Sequence, residues 1–148
     1  MKLIINTDER YSETEITVNC NRMNDDVERL LAAIRMFDMK LTGRKDGEQH
    51  IIDLRNIIYI ESIDRRTFLY TLTDVYESSC KLYELEEKLK DKDFLRASKS
   101  CIFNPIHIQS LKSDLEQKLT LTMEGGIKIV VSRQYSGIIK EKLEAFNG

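Results

Sequence analysis

The sequence predicts a strand-rich α+β fold, and two patterns lead to that prediction. Between residues 48 and 131, short β-branched and aromatic stretches alternate with polar turns, as they do in antiparallel sheets. Apolar residues at three- and four-residue steps occur in three further stretches, which is the spacing of short surface helices. Because the predicted strands do not alternate with helices, a doubly wound parallel sheet for nucleotide binding is not expected.

Length and composition favour one small domain with an appendage. The chain has 148 residues, 41% of them hydrophobic and 32% charged, with a net charge of −2. Its apolar stretches are far shorter than the roughly 20 residues of a membrane span, and the N-terminus lacks a signal-peptide core. Three scattered cysteines (Cys20, Cys80 and Cys101) do not suggest a disulfide framework or a zinc cluster. We therefore expect a cytoplasmic protein that does not insert into membranes.

The first 43 residues predict a small β-β-α extension. Strands are expected at Lys2–Asn6 and Glu15–Cys20, and Asn24 is placed to cap a helix. That helix carries apolar side chains at Val27, Leu30, Leu31, Ile34 and either Phe37 or Met36. The polar stretch Gly43–Gly47 is the predicted boundary, which gives an extension at 1–43 and a domain at 44–148. The apolar helix face is expected either to cover the open edge of that domain or to hold a dimer together.

From residue 48 the predicted order is four strands, a helix, four strands and a closing helix. The first strands are expected at Gln49–Leu54, Ile57–Ile63, Thr67–Thr73 and Val75–Ser79, followed by a helix at Leu82–Leu89. The later strands are expected at Ser100–Phe103, Ile106–Leu111, Lys118–Met123 and Ile127–Val131, before a helix at Tyr135–Phe146. The pair Gly125-Gly126 predicts a hairpin between the last two strands.

The sequence offers little that would support catalysis, so we expect neither enzymatic activity nor a cofactor. His50 and His107 lie inside strand patterns without a second metal ligand at helical spacing, and each is interpreted as a hydrogen-bonded or half-exposed histidine. Phosphate-binding glycine loops, zinc-protease pairs and nucleophile elbows do not occur. Cys101 lies in a predicted strand, where a buried thiol is the better interpretation than a nucleophile.

Local charge is more informative than net charge. Residues 94–113 carry three basic side chains and no acid, and residues 125–142 carry four basic side chains against Glu141 alone. Basic residues also occur in the predicted turn Asp64-Arg65-Arg66 and in the loop Gly43-Arg44-Lys45, and serines accompany several of them. Serine hydroxyls bind phosphates, and arginine and lysine reach guanine edges. From spacing alone, nucleic-acid binding and a merely solvated charged surface both remain open.

Five blocks, in this order, resemble the LytTR family of bacterial DNA-binding domains. The blocks are IIYIES at 57–62, LYELEEKL at 82–89, FLRASKSCIFN at 94–104, Ile108, and GGIKIVVSRQY at 125–135. The resemblance covers about residue 44 to the end of the chain. It implies a β-rich fold that lays loops, instead of a recognition helix, into successive major grooves of double-stranded DNA.

The resemblance also implies which side chains contact DNA. The first loop offers Arg65 or Arg66, the second Ser98, Lys99 and Ser100, and the third Arg133. Many relatives carry a histidine in place of Ser98, which leaves Lys99 as the main base-reading candidate in the second loop. Lys99 and Arg133 are expected to read bases, whereas Ser98, Ser100 and Lys45 are expected to contact the phosphate backbone. Asn104 and Glu61 match family positions that we interpret as structural.

The leading hypothesis is thus a sequence-specific transcription regulator. Many family members carry a receiver domain of about 120 residues, but only about 43 residues precede the matching region here, so the chain resembles the short stand-alone type. Because the family reads direct repeats with two copies, a homodimer is expected. The competing hypothesis is a protein-interaction module with the same β-fold, solvated basic loops and no DNA binding.

Overall fold

The computed structural model describes residues 1–116 and 118–146. Internal contacts divide the chain into two compact units, residues 1–35 and residues 36–148. The sections of chain between regular elements are short throughout the second unit, as is usual in a small antiparallel protein.

The N-terminal unit contains most of helix α1 (Asp25–Asp38). The side-chain oxygen of Asn24 accepts a 3.0 Å hydrogen bond from the backbone N–H of Val27, which confirms Asn24 as the helix cap. The two strands predicted at Lys2–Asn6 and Glu15–Cys20 are wrong, because the described residues contain no strand before Lys40. A strand needs a hydrogen-bonded partner and an apolar surface to cover, and most side chains in residues 1–24 are exposed.

The second unit contains ten strands and two helices among its described residues. The strands are β1 (Lys40–Lys45), β2 (Glu48–Asp53), β3 (Tyr59–Ile63), β4 (Arg66–Tyr70), β5 (Val75–Ser78), β6 (Leu95–Ser98), β7 (Cys101–Phe103), β8 (Ile108–Ser113), β9 (Leu119–Met123) and β10 (Lys128–Val131). The helices are α2 (Leu82–Lys88) and α3 (Arg133–Phe146). Short 3₁₀ turns lie at Leu54–Asn56 and Pro105–His107.

Two antiparallel sheets make up this unit. The first has seven strands in the order β2-β1-β5-β4-β3-β7-β6, and the second has three in the order β10-β9-β8. The predicted hairpin between β9 and β10 is present, and Gly125 and Gly126 have φ angles of 90° and 81°. Such left-handed conformations favour glycine, so this turn was visible in the sequence. The strand-rich α+β prediction is confirmed.

The predicted loop at Gly43-Arg44-Lys45 is wrong, because these residues lie within strand β1. Gly43 lies inside the strand, opposite His50 of β2, and it is buried. A Cβ atom added to Gly43 would lie only 2.6 Å from the Cβ of Tyr76, so the glycine permits close approach to that side chain. The turn itself is Asp46-Gly47. The domain division after residue 43 stays a prediction, although a cut there would fall within β1.

Each face of the seven-stranded sheet contributes to a separate hydrophobic core. On one face, β6 and β7 pack with the three-stranded sheet and α3, around the fully buried Phe103, Leu121 and Met123. On the opposite face, Ile60, Leu69 and Ile102 pack with α2 and the segment around Leu54. These cores hold the ends of the strands, and the turns that join them, in fixed positions.

His107 is held by hydrogen bonds within the second unit. His107 lies 2.7 Å from a carboxylate oxygen of Glu124 and 2.6 Å from the backbone oxygen of Arg55, which confirms its interpretation as a hydrogen-bonded histidine. Among residues 1–116 and 118–146, no cluster of ligands suited to a metal ion occurs. No helix within the same residues is long and apolar enough to cross a membrane.

Candidate nucleic-acid interface

Three of the predicted DNA-contacting segments lie side by side at one end of the seven-stranded sheet. They are the β3–β4 turn (residues 64–65), the β6–β7 turn (residues 99–100) and the start of α3 (residues 132–133). The backbone N–H of Ser62, at the end of β3, donates to the carbonyl of Ser100 at 2.8 Å. The N–H of Ser132 donates to the carbonyl of Ala97 at 2.9 Å. We call these three joined segments the loop edge.

The β3–β4 turn presents Arg65 at its tip. Asp64 and Arg65 have φ angles of 49° and 68°, the left-handed pair typical of a two-residue hairpin turn. The strands on either side are in register, with Ile63 opposite Arg66. Arg65 is exposed and has no ion-pair partner among the described residues. Its guanidinium is therefore available to a ligand beyond the turn.

Arg66, by contrast, is already engaged within the sheet. Its guanidinium donates to both carboxylate oxygens of Glu77, at 2.9 and 2.7 Å, and lies 5.3 Å from the ring centre of Phe68. The same hydrogen bonds lower the pKa of the Glu77 carboxyl below its usual value. Binding DNA through Arg66 would have to disrupt a bidentate pair, so Arg65 is the less constrained cation of this turn.

The β6–β7 turn presents Lys99. A β-bulge at Ala97 shifts the register, so that Arg96 lies opposite Ile102 and Ser98 opposite Cys101. The hydroxyl of Ser98 accepts the N–H of Ser100 at 3.3 Å. The side chain of Lys99 is exposed and has no contact with a polar group among the described residues. Bulges are frequent beside functional sites, and this one lies two residues before Lys99.

The third segment begins helix α3 at Arg133, two residues before the predicted start. The carbonyl of Ser132 accepts the N–H groups of Tyr135 and Ser136, at 3.0 and 3.1 Å, and so forms the first turn. That turn contains no acidic residue. A cation at a helix N-terminus opposes the helix dipole, whereas an anion is favoured there. The start of α3 therefore favours a bound phosphate, whereas the charge of Arg133 by itself is disfavoured there.

Lys45 does not belong to the loop edge. It forms an ion pair with Asp74, and that hydrogen bond raises the pKa of the lysine. Asp74 directly precedes β5, whose first residue, Val75, lies opposite the last residue of β4, Tyr70. Arg66 is at the other end of β4. The structure therefore places Lys45 at the opposite end of the sheet from Arg65, Lys99 and Arg133.

The interpretation of Asn104 as structural is confirmed. Only 3% of this residue is exposed. Its amide nitrogen donates to the carbonyls of Leu54 and Ile57 at 3.3 and 3.0 Å, and its side-chain oxygen accepts the N–H of Ile106. Asn104 follows β7 at the end of the sheet away from the loop edge.

Sequence reasoning missed the role of Arg96. In the sequence, Arg96 is only one of three basic residues in the acid-free stretch 94–113. In the structure it donates to the carbonyls of Ser98 and Lys99 and to the carboxylate of Glu86. The one signal in the sequence was its position two residues before the serine that begins the predicted loop. Every residue has a backbone carbonyl, so the sequence does not show which carbonyls a side chain binds. The position of Arg96 alone therefore did not indicate the contact.

Together, the strand-rich fold and the loop edge, with basic side chains on two turns and at the start of α3, are the arrangement expected of a DNA-binding domain without a recognition helix. The model of the family described as the LytTr DNA-binding domain matches residues 47–144. The chain belongs to that family. This confirms the resemblance found in the five sequence blocks.

The chain is similar to proteins from two strains of Staphylococcus aureus, NCTC 8325 / PS 47 and COL. Each is described as an uncharacterized HTH-type transcriptional regulator and is 30% identical over 145 residues, covering 97% of this chain and 97% of the relative. Despite that description, the described residues contain no helix-turn-helix, because strands separate α1, α2 and α3.

Among solved structures, the chain is similar to the LytTr DNA-binding domain of a response regulator from Bacillus cereus. The TM-score is 0.67 at 23% identity, over 71% of this chain and 96% of that domain. This likeness shows the shared fold.

Proposed function

We propose that the chain is a sequence-specific transcription regulator that binds double-stranded DNA with the loop edge. One observation carries the proposal: Arg65, Lys99 and Arg133, each without an ion-pair partner among the described residues, lie on three segments joined by backbone hydrogen bonds. The proposal includes a cytoplasmic location and no enzymatic activity. It is supported by membership of a DNA-binding family. It is also supported by relatives that are described as transcriptional regulators and that this chain matches over nearly their whole length.

Within this proposal, Lys99 and Arg133 read base edges in the major groove, and Arg65 contacts the neighbouring backbone or base. Arginine pairs with guanine O6 and N7, and one such contact is worth roughly 1–3 kcal/mol of discrimination. Ser98 and Ser100 supply hydroxyl donors for phosphates. Arg66 contributes only where DNA replaces Glu77 as its partner. Lys45 makes no contact with DNA bound at the loop edge.

The test is selection from random duplexes on the purified protein, followed by binding measurements over a salt series. We expect one enriched sequence, arranged as a direct repeat, and an affinity that falls steeply with salt by about 0.9 in log–log slope for each phosphate contacted. Arg133→Ala and Lys99→Ala should narrow the gap between the selected and a scrambled duplex. An absence of enrichment would contradict the regulator and favour a protein-interaction module.

We further propose that the N-terminal unit holds two copies of the chain together. Helix α1 contains no buried residue, and its apolar side chains Leu30, Leu31 and Ile34 stay partly exposed. The staphylococcal relatives match across this unit as well as the DNA-binding domain, which supports a shared role for it. A dimer would place two loop edges on successive half-sites.

Light scattering of the whole chain and of a variant lacking residues 1–35 tests the dimer. This deletion leaves β1 intact, whereas deleting residues 1–43 would remove part of that strand. We expect the mass to fall from two copies to one while the remainder stays folded. An unchanged mass in the shortened chain would overturn the proposal.

A further inference from the structure

The turn that carries Lys99 is held from behind by one arginine. Arg96 Nε donates to the carbonyl oxygen of Ser98 at 2.7 Å, and Nη2 donates to that of Lys99 at 2.6 Å. Two consecutive peptide groups of the turn are thus fixed by a single planar guanidinium. With the bonds of Ser100 to Ser98 and Ser62, the turn has little freedom to rotate.

The guanidinium is itself anchored to helix α2. Arg96 Nη1 donates to a carboxylate oxygen of Glu86 at 2.9 Å. Next to Glu86 in the helix, Leu85 is 1% exposed and belongs to the core that also contains Ile102, the residue opposite Arg96. The Arg96 side chain therefore connects the turn to a helix that is anchored in the hydrophobic core.

Arg96 is poorly placed to contact DNA directly. Its side chain is only 18% exposed, and Nε, Nη1 and Nη2 all donate to acceptors within the protein. Lys99 is exposed and has no polar contact among the described residues. Lys99 is therefore free to bind DNA, whereas Arg96 holds the turn that carries Lys99.

We propose that Arg96 is a positioning residue, which fixes the β6–β7 turn so that Lys99 reaches base edges, and that Glu86 holds Arg96 in place. This inference rests on the proposed function, because it explains how Lys99 is positioned for the base contact proposed there. A guanidinium can bind two carbonyls and a carboxylate at once, whereas a lysine ammonium lacks the planar fork. Charge alone is therefore insufficient at position 96.

The experiment measures binding of the whole chain to its selected duplex and to a scrambled duplex, over a salt series. The variants are Arg96→Lys, Lys99→Ala, the double variant, and Glu86→Ala with Glu87→Ala as its control. Glu87 is an exposed glutamate on the same helix with no hydrogen bond among the described residues. Thermal melting of each variant reports its fold.

We expect Arg96→Lys to reduce the ratio of specific to non-specific affinity about tenfold, with the salt slope unchanged, since a phosphate contact is not lost. The double variant should discriminate no better and no worse than Lys99→Ala alone, because Arg96 acts through Lys99. Glu86→Ala, which can fold even if Arg96 variants do not, should lose about threefold in the same ratio, and Glu87→Ala should lose nothing.

Three results would overturn the inference. If the losses of discrimination in the two single variants multiplied in the double variant, Arg96 would act independently of Lys99. A slope reduced by about one would identify Arg96 as a phosphate contact. If both Arg96→Lys and Glu86→Ala discriminated between the selected and the scrambled duplex as well as the parent does, the turn would need no support from Arg96. All three leave the proposed function intact, whereas a parent protein without sequence preference would overturn both.

Discussion

The side-chain nitrogen of Asn104 lies 3.0 Å from the backbone oxygen of Ile57, which precedes it by 47 positions in the chain. The same nitrogen is 3.3 Å from the backbone oxygen of Leu54. One buried amide thus satisfies two carbonyls of the segment that leads into β3. This contact stabilises the end of the sheet that faces away from the loop edge.

Replacing Asn104 by alanine should destabilise the fold without altering the loop edge. Buried carbonyls that lose their donor cost about 1–3 kcal/mol. We expect Asn104→Ala to lower the free energy of unfolding, measured in urea, by about that amount. At a temperature where the variant is still folded, its preference for the selected duplex should match that of the parent. A loss of discrimination in the folded variant would contradict the structural role.

Lys45 and Lys99 provide a matched pair of lysines at opposite ends of the sheet. Lys99→Ala should weaken binding to the selected duplex, because it removes a free cation from the loop edge. Lys45→Ala removes the same charge from a lysine paired with Asp74 and should leave the affinity near that of the parent. Fluorescence titration of both variants at one salt concentration checks this. Equal losses would show that DNA binding does not depend on which end of the sheet carries the charge.

Glu77 should limit the contribution of Arg66 to DNA binding. Glu77→Ala removes a negative charge and releases the guanidinium, so affinity for all duplexes should rise and the salt slope should steepen by up to about one unit. Stability should change little, because an exposed ion pair contributes little net free energy to folding. Glu48→Ala, at the other end of the sheet, loses the same charge and is the control. If Glu48→Ala raised the affinity as much as Glu77→Ala, the cause would be the change in net charge and not the release of Arg66.

Cys20 and Cys101, which are both free thiols in the structure, should differ sharply in reactivity. Burial, with a smaller contribution from the charge of Glu61, raises the pKa of the Cys101 thiol to about 12. In the native protein at pH 8, a thiol reagent should modify the exposed Cys20 rapidly and Cys101 only after unfolding. Mass spectrometry of the labelled protein shows which site has reacted. Equal labelling of both sites under native conditions would contradict the burial of Cys101.

The raised pKa of Cys101 also predicts alkaline destabilisation. Above the ordinary thiol pKa of 9.0, the unfolded chain loses this proton while the native chain keeps it until about pH 12. The free energy of unfolding should therefore fall as the pH rises through that interval. Tyr59, whose pKa burial raises to about 12, acts in the same direction. Urea unfolding of Cys101→Ala should show a shallower decline than the parent, and an unchanged decline would exclude Cys101 as a cause.

Gly43 and Gly137 should respond oppositely to alanine. A Cβ atom at Gly43 would lie 2.6 Å from Tyr76 Cβ and 2.9 Å from Ile52 Cδ1, and such crowding in a packed core costs about 1–3 kcal/mol. At Gly137, in helix α3, the added Cβ meets no atom of the described residues within 4 Å. There alanine should stabilise the helix by about 1 kcal/mol at most. Urea unfolding of the two variants provides the measurement, and stabilisation by Gly43→Ala would mean that β1 packs less closely.

Features that depend on neighbours in sequence were determined by the sequence itself. Asn24 begins a helix because its side chain reaches a backbone N–H three residues away, and Gly125-Gly126 makes a hairpin because glycine adopts positive φ at little cost. Most strands of the second unit and the three basic segments of the loop edge also followed from local pattern. The family resemblance added which segments belong together.

Features that depend on distant partners were decided only by tertiary structure. The patterns at Lys2–Asn6 and Glu15–Cys20 looked like strands, but a strand forms only where another supplies its hydrogen bonds. Strand β1 was missed although Asp46-Gly47 joins it directly to β2, because Lys40–Lys45 is mostly polar and contains a glycine, and its second partner, β5, lies far along the chain. The same holds for charge. Lys45 and Arg66 looked as free as Lys99 until the fold placed Asp74 and Glu77 beside them, because a charge far along the chain becomes a partner only through the packing of strands.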